Sequence, residues 1–474
     1  MIAVPKEIKI LGDRNLLVAS LCYLALPVAI FCLSWVTLWA GIPAVLAILA
    51  CVVAICSRHS NGGRLPIKRM QLLWMLLILF LWVAIAGIGG YVWQNIWDHA
   101  YRNAVFMDLV TYDWPVVRDN RILTYYLGFW IVPAGLVKIT GSMAIGWLSQ
   151  TLWAFMGVVL AVFWFFKYVG RCKLRILLII ILVGTIDIIP NIVMNRDLSG
   201  EILENWSRLA YAEWQNTMIY WVYNQSIPAL LVCSMVFTVR SSKLTVFLIA
   251  IMLLYAPMSV VLLFPLAVYQ LAREVAQEPD WRLKLRRLLS PVNILSLLIA
   301  FVIGTYILNN NNAQQLGLII GSMGRKALLI SLLSLYLLSI GVWLPYIWRR
   351  IKNSYTFWIL FLCYLPCPLL TMGQDIDFAS RTLVPLTAFL LMEVSRFVTI
   401  DWGVTSVRIR VWFIGLVCLS SVSVASELYR IGKNTVILPT SEYRLMDYGS
   451  IYNVTKLQNN FLGTYDKWIL RKRP

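Results

Sequence analysis

Apolar runs of about 20 residues, the length a helix needs to cross the hydrocarbon core of a bilayer, recur along the whole chain between short polar segments. The pattern predicts spans over 16–36 and 38–56 as a tight hairpin, then 71–93, 144–166, 175–193 and 223–239. The residues 244–271 lie between two basic loops, so parity makes them a hairpin of short half-helices around Pro257 or a re-entrant element. Broken segments of that kind line cavities rather than lipid. Further spans are expected over 291–308, 328–347, 355–372, 382–399 and 409–427. The period-2 alternation of an outer-membrane barrel is absent. The expected fold class is therefore all-α, a polytopic transmembrane helical bundle with about thirteen crossings.

Basic residues set the expected orientation. Lys6, Lys9 and Arg14 precede the first apolar run and put the N-terminus on the cytoplasmic side. The segments 58–69, 167–175 and 273–289 are the other clear basic markers. Residues 122–140 are apolar enough to pass for a span, but a crossing there would leave 167–175 outside, so they read as a juxtamembrane amphipathic element on the outer face. The division that follows is a transmembrane helical domain over 1–427, with outer loops 94–143 and 194–222, and an outer-side C-terminal tail over 428–474.

Composition agrees. The 474 residues are 60% hydrophobic and only 13% charged, against about 25% charged in soluble domains. The net charge of +19 is spread in short clusters between apolar runs, which suits membrane lipid headgroups and argues against nucleic acid. The nine cysteines fall in spans or basic loops and make no secreted disulfide framework, and with two histidines a zinc site is not expected.

Against this apolar background the acids stand out. Eleven of the 22 gather in three outer loops and at one outer helix end of the expected topology: Asp98, Asp108, Asp113, Asp119, Asp187, Asp197, Glu201, Glu204, Glu213, Asp375 and Asp377. Solvated loops account for Asp113, Asp119, Asp197, Glu201 and Asp375. Asp98 follows a span and Trp97 directly, where a carboxylate sits at the interface. Asp187 lies in the apolar stretch GTIDIIPN, and an intramembrane acid needs a partner or a cavity. Asp377 and Arg381 are spaced to pair on one helix face. The outer tryptophans 97, 114, 206, 214 and 221 form an interfacial belt, of which one or two could stack on a sugar.

Such a set suits sugar transfer from a lipid-phosphate carrier. That chemistry needs a carboxylate to take a proton from the acceptor hydroxyl, arginine or a divalent ion for the leaving phosphate, and an apolar groove for the carrier tail. Two carboxylates beside a phosphate permit Mg²⁺ or Mn²⁺ without requiring either.

The first outer loop, with Asp98 near its start and TYYLGFWIVPAGLVKITG further on, resembles the GT-C superfamily of polyprenyl-phosphate-sugar-dependent glycosyltransferases. Tyr125, Tyr126, Pro133 and Gly141 carry the likeness; the prolines that precede the tyrosines in that superfamily are missing. The segments WDHAYRNAVFMDL, DWPV, GTIDIIP, DFASRTLVP and FLGTYDKWILRKRP are similar to landmarks of a largely uncharacterised group of bacterial multi-spanning proteins. The His-rich positions that the group often carries near Tyr101 and Glu204 are lacking here, His99 being the one histidine near either.

The resemblance implies an inverting glycosyltransferase of the bacterial inner membrane, taking a polyprenyl-phosphate-linked sugar donor and a glycan or lipid acceptor. Asp98 would be the general base and Asp187, or Glu204 in its place, the second acid. Arg102 and Arg381 would meet the carrier phosphate, with Asp108 and Asp377 beside them. A polymerase or ligase of lipid-linked glycans and a flippase or transporter of lipid-linked sugars are the alternatives; an outer pocket lined by Asp98 and Asp187 favours transfer and a midplane cavity open to both sides favours transport. As drawn, the enzyme reading requires Asp98 and Asp187 to converge in one wet recess.

Overall fold

The computed structural model describes residues 7–10, 12–60, 62–95, 98–195, 203–206, 212–310, 316–319, 324–372, 377–438, 449–454, 460–465 and 470. The chain opens with the hairpin α1 (Asp13–Ser34) and α2 (Leu38–Cys56), followed by α3 (Arg69–Ile85). Helix α3 stops where Gly87, Gly89 and Gly90 take positive φ, a conformation that glycine adopts without steric cost. The first outer segment then folds as α4 (Asp98–Thr111), a short strand pair and α5 (Ile131–Thr140). With ten residues α5 is about 15 Å long, too short to cross, as expected for 122–140.

Helix α6 (Met143–Val169) starts on a Ser142 side-chain cap and ends on left-handed Gly170. Beyond it, α7 (Leu174–Leu182) is followed by the single turn α8 (Ile188–Pro190), then α9 (Gln215–Trp221) and α10 (Tyr223–Val239). The expected hairpin over 244–271 is present as α11 (Ser242–Met252) and α12 (Pro257–Ala276), broken at Leu253–Ala256 with Pro257 opening the second helix. Its halves are unequal, because α12 is long enough to span by itself. The remaining helices are α13 (Trp281–Leu288), α14 (Pro291–Leu308), α15 (Arg325–Tyr336), α16 (Leu344–Ile351), α17 (Tyr355–Tyr364), α18 (Asp377–Arg396) and α19 (Val407–Ile437).

Among the described residues seven helical segments are long and apolar enough to cross a membrane, and an eighth if the pair around α15 and α16, bent by 71°, counts as one span. That establishes a multi-pass helical bundle. It is fewer than the expected thirteen or so, because several apolar runs fold as shorter helices: α3 has 17 residues, α7 has 9 and α17 has 10. Helices α6, α10 and α18 form the centre, with 89% of the apolar window of α18 buried against 28% for α19.

Short strands close both ends. Strand β1 (Glu7–Lys9) pairs with β2 (Pro66–Lys68), and β5 (Leu316–Leu318) with β6 (Leu370–Met372), both antiparallel. Strand β3 (Val117–Arg118) turns into β4 (Arg121–Leu123) through Asp119 and Asn120, both left-handed, the two-residue turn that matches strand twist. Strand β7 (Leu462–Thr464), from the C-terminal segment, pairs with β4. The tail expected as a separate region from 428 onward is thus tied in: α19 runs through that boundary to Ile437, and the tail returns to the first outer segment.

Candidate functional site

A cavity of about 530 Å³ opens at one end of the bundle, where α4, α12 and α18 begin and α14 ends. The opposite end carries the basic helix termini, including Arg273, Arg287, Arg350 and Arg396. Two similar constructions face the cavity. Asn95 caps α4, accepting from the Asp98 amide at 2.8 Å; one turn later Arg102 donates to Asp98 at 2.9 Å. Asp377 opens α18 and accepts from Arg381, also one turn later, at 3.2 Å. The carboxylates are half-exposed, 36% for Asp98 and 39% for Asp377, whereas the arginines are buried at 3% and 6%. Each carboxylate sits at a helix N-terminus, where the backbone dipole favours negative charge.

The arginines are anchored from behind. Arg102 Nε donates to Asn224 Oδ1 at 3.1 Å, and its guanidinium lies 5.7 Å from the Tyr223 ring centroid. Its Nη1 has no hydrogen-bond partner among the described residues. Arg381 Nη1 donates to the buried Glu213 at 2.5 Å. Burial pushes the Glu213 carboxyl up, and Arg381 opposes that shift. His99, next to Asp98, is held neutral: burial, with Arg102 adding to it, pulls its imidazole down to about 3.

Aromatic rings form one wall. Tyr125 stacks on Tyr126 with centroids 4.6 Å apart and lies 4.7 Å from Phe461, which also stacks on Tyr101 at 5.5 Å. The facing wall is apolar, made by Pro257, Met258 and Val261 of α12 and by Gly304, Ile307 and Leu308 of α14. A Cβ placed on Gly304 would meet nothing within 4 Å. The cavity therefore combines charged pairs with a wall made from two membrane-length helices.

Four of the expected residues, Asp98, Arg102, Asp377 and Arg381, come together here. Asp187 does not. It is buried against α19, accepting from Trp206 Nε1 at 2.9 Å and from Ser423 Oγ at 3.2 Å. Its partners come from residues far along the chain, so an acid that looks uncompensated in sequence is satisfied in the fold. The convergence of Asp98 and Asp187 that the enzyme reading requires does not occur, so an enzyme reading can stand only on other residues. Asp108 is also elsewhere. It lies ten residues, about 15 Å, along α4 from Asp98 and accepts from the Ile451 amide at 3.0 Å. The Glu204 side chain falls outside the described residues.

Sequence reading missed three contributors. Glu213 stood among the outer acids without a role, although it is the deepest partner of Arg381. Asn460 and Phe461 reach the cavity through strand β7, a pairing between segments some 340 residues apart that no local pattern announces. For a metal, Asp98 and Asp377 each keep a carboxylate oxygen that the arginine does not take. Carboxylate oxygens are donors that Mg²⁺ accepts, although among the described residues no group of three or more His, Cys, Asp or Glu side chains is placed to hold an ion. Comparison of the chain with protein-family models, with curated proteins and with solved structures finds no match.

Proposed function

We propose that the protein is a membrane glycosyltransferase of the GT-C type that moves a sugar from a polyprenyl-phosphate carrier to a glycan or lipid acceptor. The observation that carries this reading is the pairing, in one cavity, of two carboxylate–arginine constructions with a wall built from α12 and α14. A lipid-linked sugar phosphate has that same division, an anionic polar head on a long apolar tail. In a bacterial inner membrane with the N-terminus cytoplasmic and the C-terminus outside, the cavity opens on the outer face.

In this reaction the acceptor hydroxyl gives its proton to Asp98 as its oxygen bonds to the anomeric carbon. The bond from that carbon to the phosphate oxygen breaks, and the carrier phosphate leaves with the electron pair. The positive charge of Arg102 stabilises it. Direct displacement inverts the anomeric centre. Asp377 takes the second-acid place that Asp187 cannot hold, and Arg381 holds Asp377 in position. Bound Mg²⁺ or Mn²⁺ would add charge neutralisation at the phosphate. The location of the cavity at the helix ends favours transfer over transport.

The test is transfer by the full chain in liposomes, with polyprenyl-phosphate sugars as donors. Asp98→Asn is expected to lower kcat by roughly 10²–10⁴-fold, the usual range for a lost general base. Full turnover by a folded Asp98→Asn protein would contradict the assignment.

A further inference from the structure

At the end of the bundle opposite the cavity, α13 has the sequence WRLKLRRL, with four basic residues, no acid and no buried side chain. It continues α14, and the two make a helical segment of 28 residues, Trp281–Leu308. At 1.5 Å per residue the 18 residues of α14 measure about 27 Å, close to the ~30 Å hydrocarbon thickness. Helix α13 therefore ends where the hydrocarbon begins, with its last turn at headgroup depth.

Its two faces suit that depth. Trp281, Leu285 and Leu288, at positions i, i+4 and i+7, form an apolar stripe left exposed among the described residues, Trp281 being 65% exposed. Arg287 is taken by Glu278 at 2.7 Å and Glu274 at 3.7 Å. Arg282, Lys284 and Arg286 have no carboxylate within salt-bridge distance among the described residues. Arg58 follows α2 and Lys243 opens α11, both of which pack on α14, so they stand at the same end. Partial burial lowers the pKa of the Lys243 ammonium, and Arg58 and Arg287 add to that shift. The region carries more positive charge than its own acids balance.

We propose that α13, with Arg58 and Lys243 beside it, binds the headgroups of anionic phospholipids. Leu285 and Leu288, at the end of the stripe nearer α14, seat at the interface and the unpaired basic residues reach lipid phosphate. This proposal does not depend on the reaction catalysed at the other end.

The experiment is hydrogen–deuterium exchange on the full chain in vesicles of phosphatidylcholine alone or mixed with phosphatidylglycerol. Backbone exchange over 281–289 should be slower by roughly tenfold or more with phosphatidylglycerol, given the attraction of each basic residue to an anionic surface. Salt should weaken the difference, and the triple variant R282Q/K284Q/R286Q should abolish it. Equal exchange in the two vesicles overturns the proposal, as does a triple variant that keeps the difference. Inorganic phosphate added to phosphatidylcholine vesicles should have no effect; slowing equal to that with phosphatidylglycerol would assign the site to free phosphate instead.

Discussion

Arg381 and Glu213 are both nearly excluded from solvent, and the favourable geometry between them offsets the desolvation of two charges. Removing one partner strands the other. Arg381→Met is therefore expected to destabilise the protein by about 3–5 kcal/mol, read as a lowered melting temperature in detergent, while Asp377→Asn, at a half-exposed carboxylate, should cost far less. Asp108 gives a second residue-scale expectation. Burial raises its carboxyl from 3.8 to about 6, against the opposing effect of Ser450 and the Ile451 amide. The folded state thus binds the proton more tightly than the unfolded one. The contribution to stability is fully present below about 3.8 and is lost as pH rises through about 6. Melting temperature measured between these values should fall less steeply with pH in Asp108→Asn. The pair Asp377–Arg381 was legible because helical spacing alone brings such residues together; Asp98–Arg102 has the same spacing, but its two residues were expected in separate roles. The satisfaction of Asp187 by Trp206 and Ser423 was not, since it depends on which helices pack side by side.

At the scale of elements, the break before Pro257 could be read directly: proline cannot supply the missing donor inside a helix but opens one well. The strands could not, because three-residue pairings at helix ends leave no periodic pattern. Among them β7 matters most, because it brings Asn460 and Phe461 to the cavity. Gly463 packs so closely on the Asn309 carbonyl and Thr124 that a Cβ there collides with backbone. Gly463→Val is expected to lift β7 from β4 at a cost of about 1–3 kcal/mol. Faster amide exchange over 460–465 would report it, and unchanged exchange would count against a docked strand.

On the scale of the whole molecule, the fold separates two environments: charged pairs and aromatic rings at one end, basic helix termini at the other. The apolar runs made a helical membrane bundle legible, but not how many runs become full-length spans, because an unwound stretch such as 183–187 contains no proline to mark the break. If the gap beside Gly304 admits a carrier tail, Gly304→Trp should fill it without disturbing the fold, since the space there is open. Transfer from a long polyprenyl donor should then fall more than transfer from a short-chain analogue, and an equal loss for both would place the tail elsewhere.

The most direct measurement is a structure of the full chain with a polyprenyl phosphate bound. The account requires the phosphate within hydrogen-bonding distance of Arg102 or Arg381 and the prenyl chain leaving between α12 and α14. A phosphate held away from both arginines, or a chain that exits by another route, would contradict it.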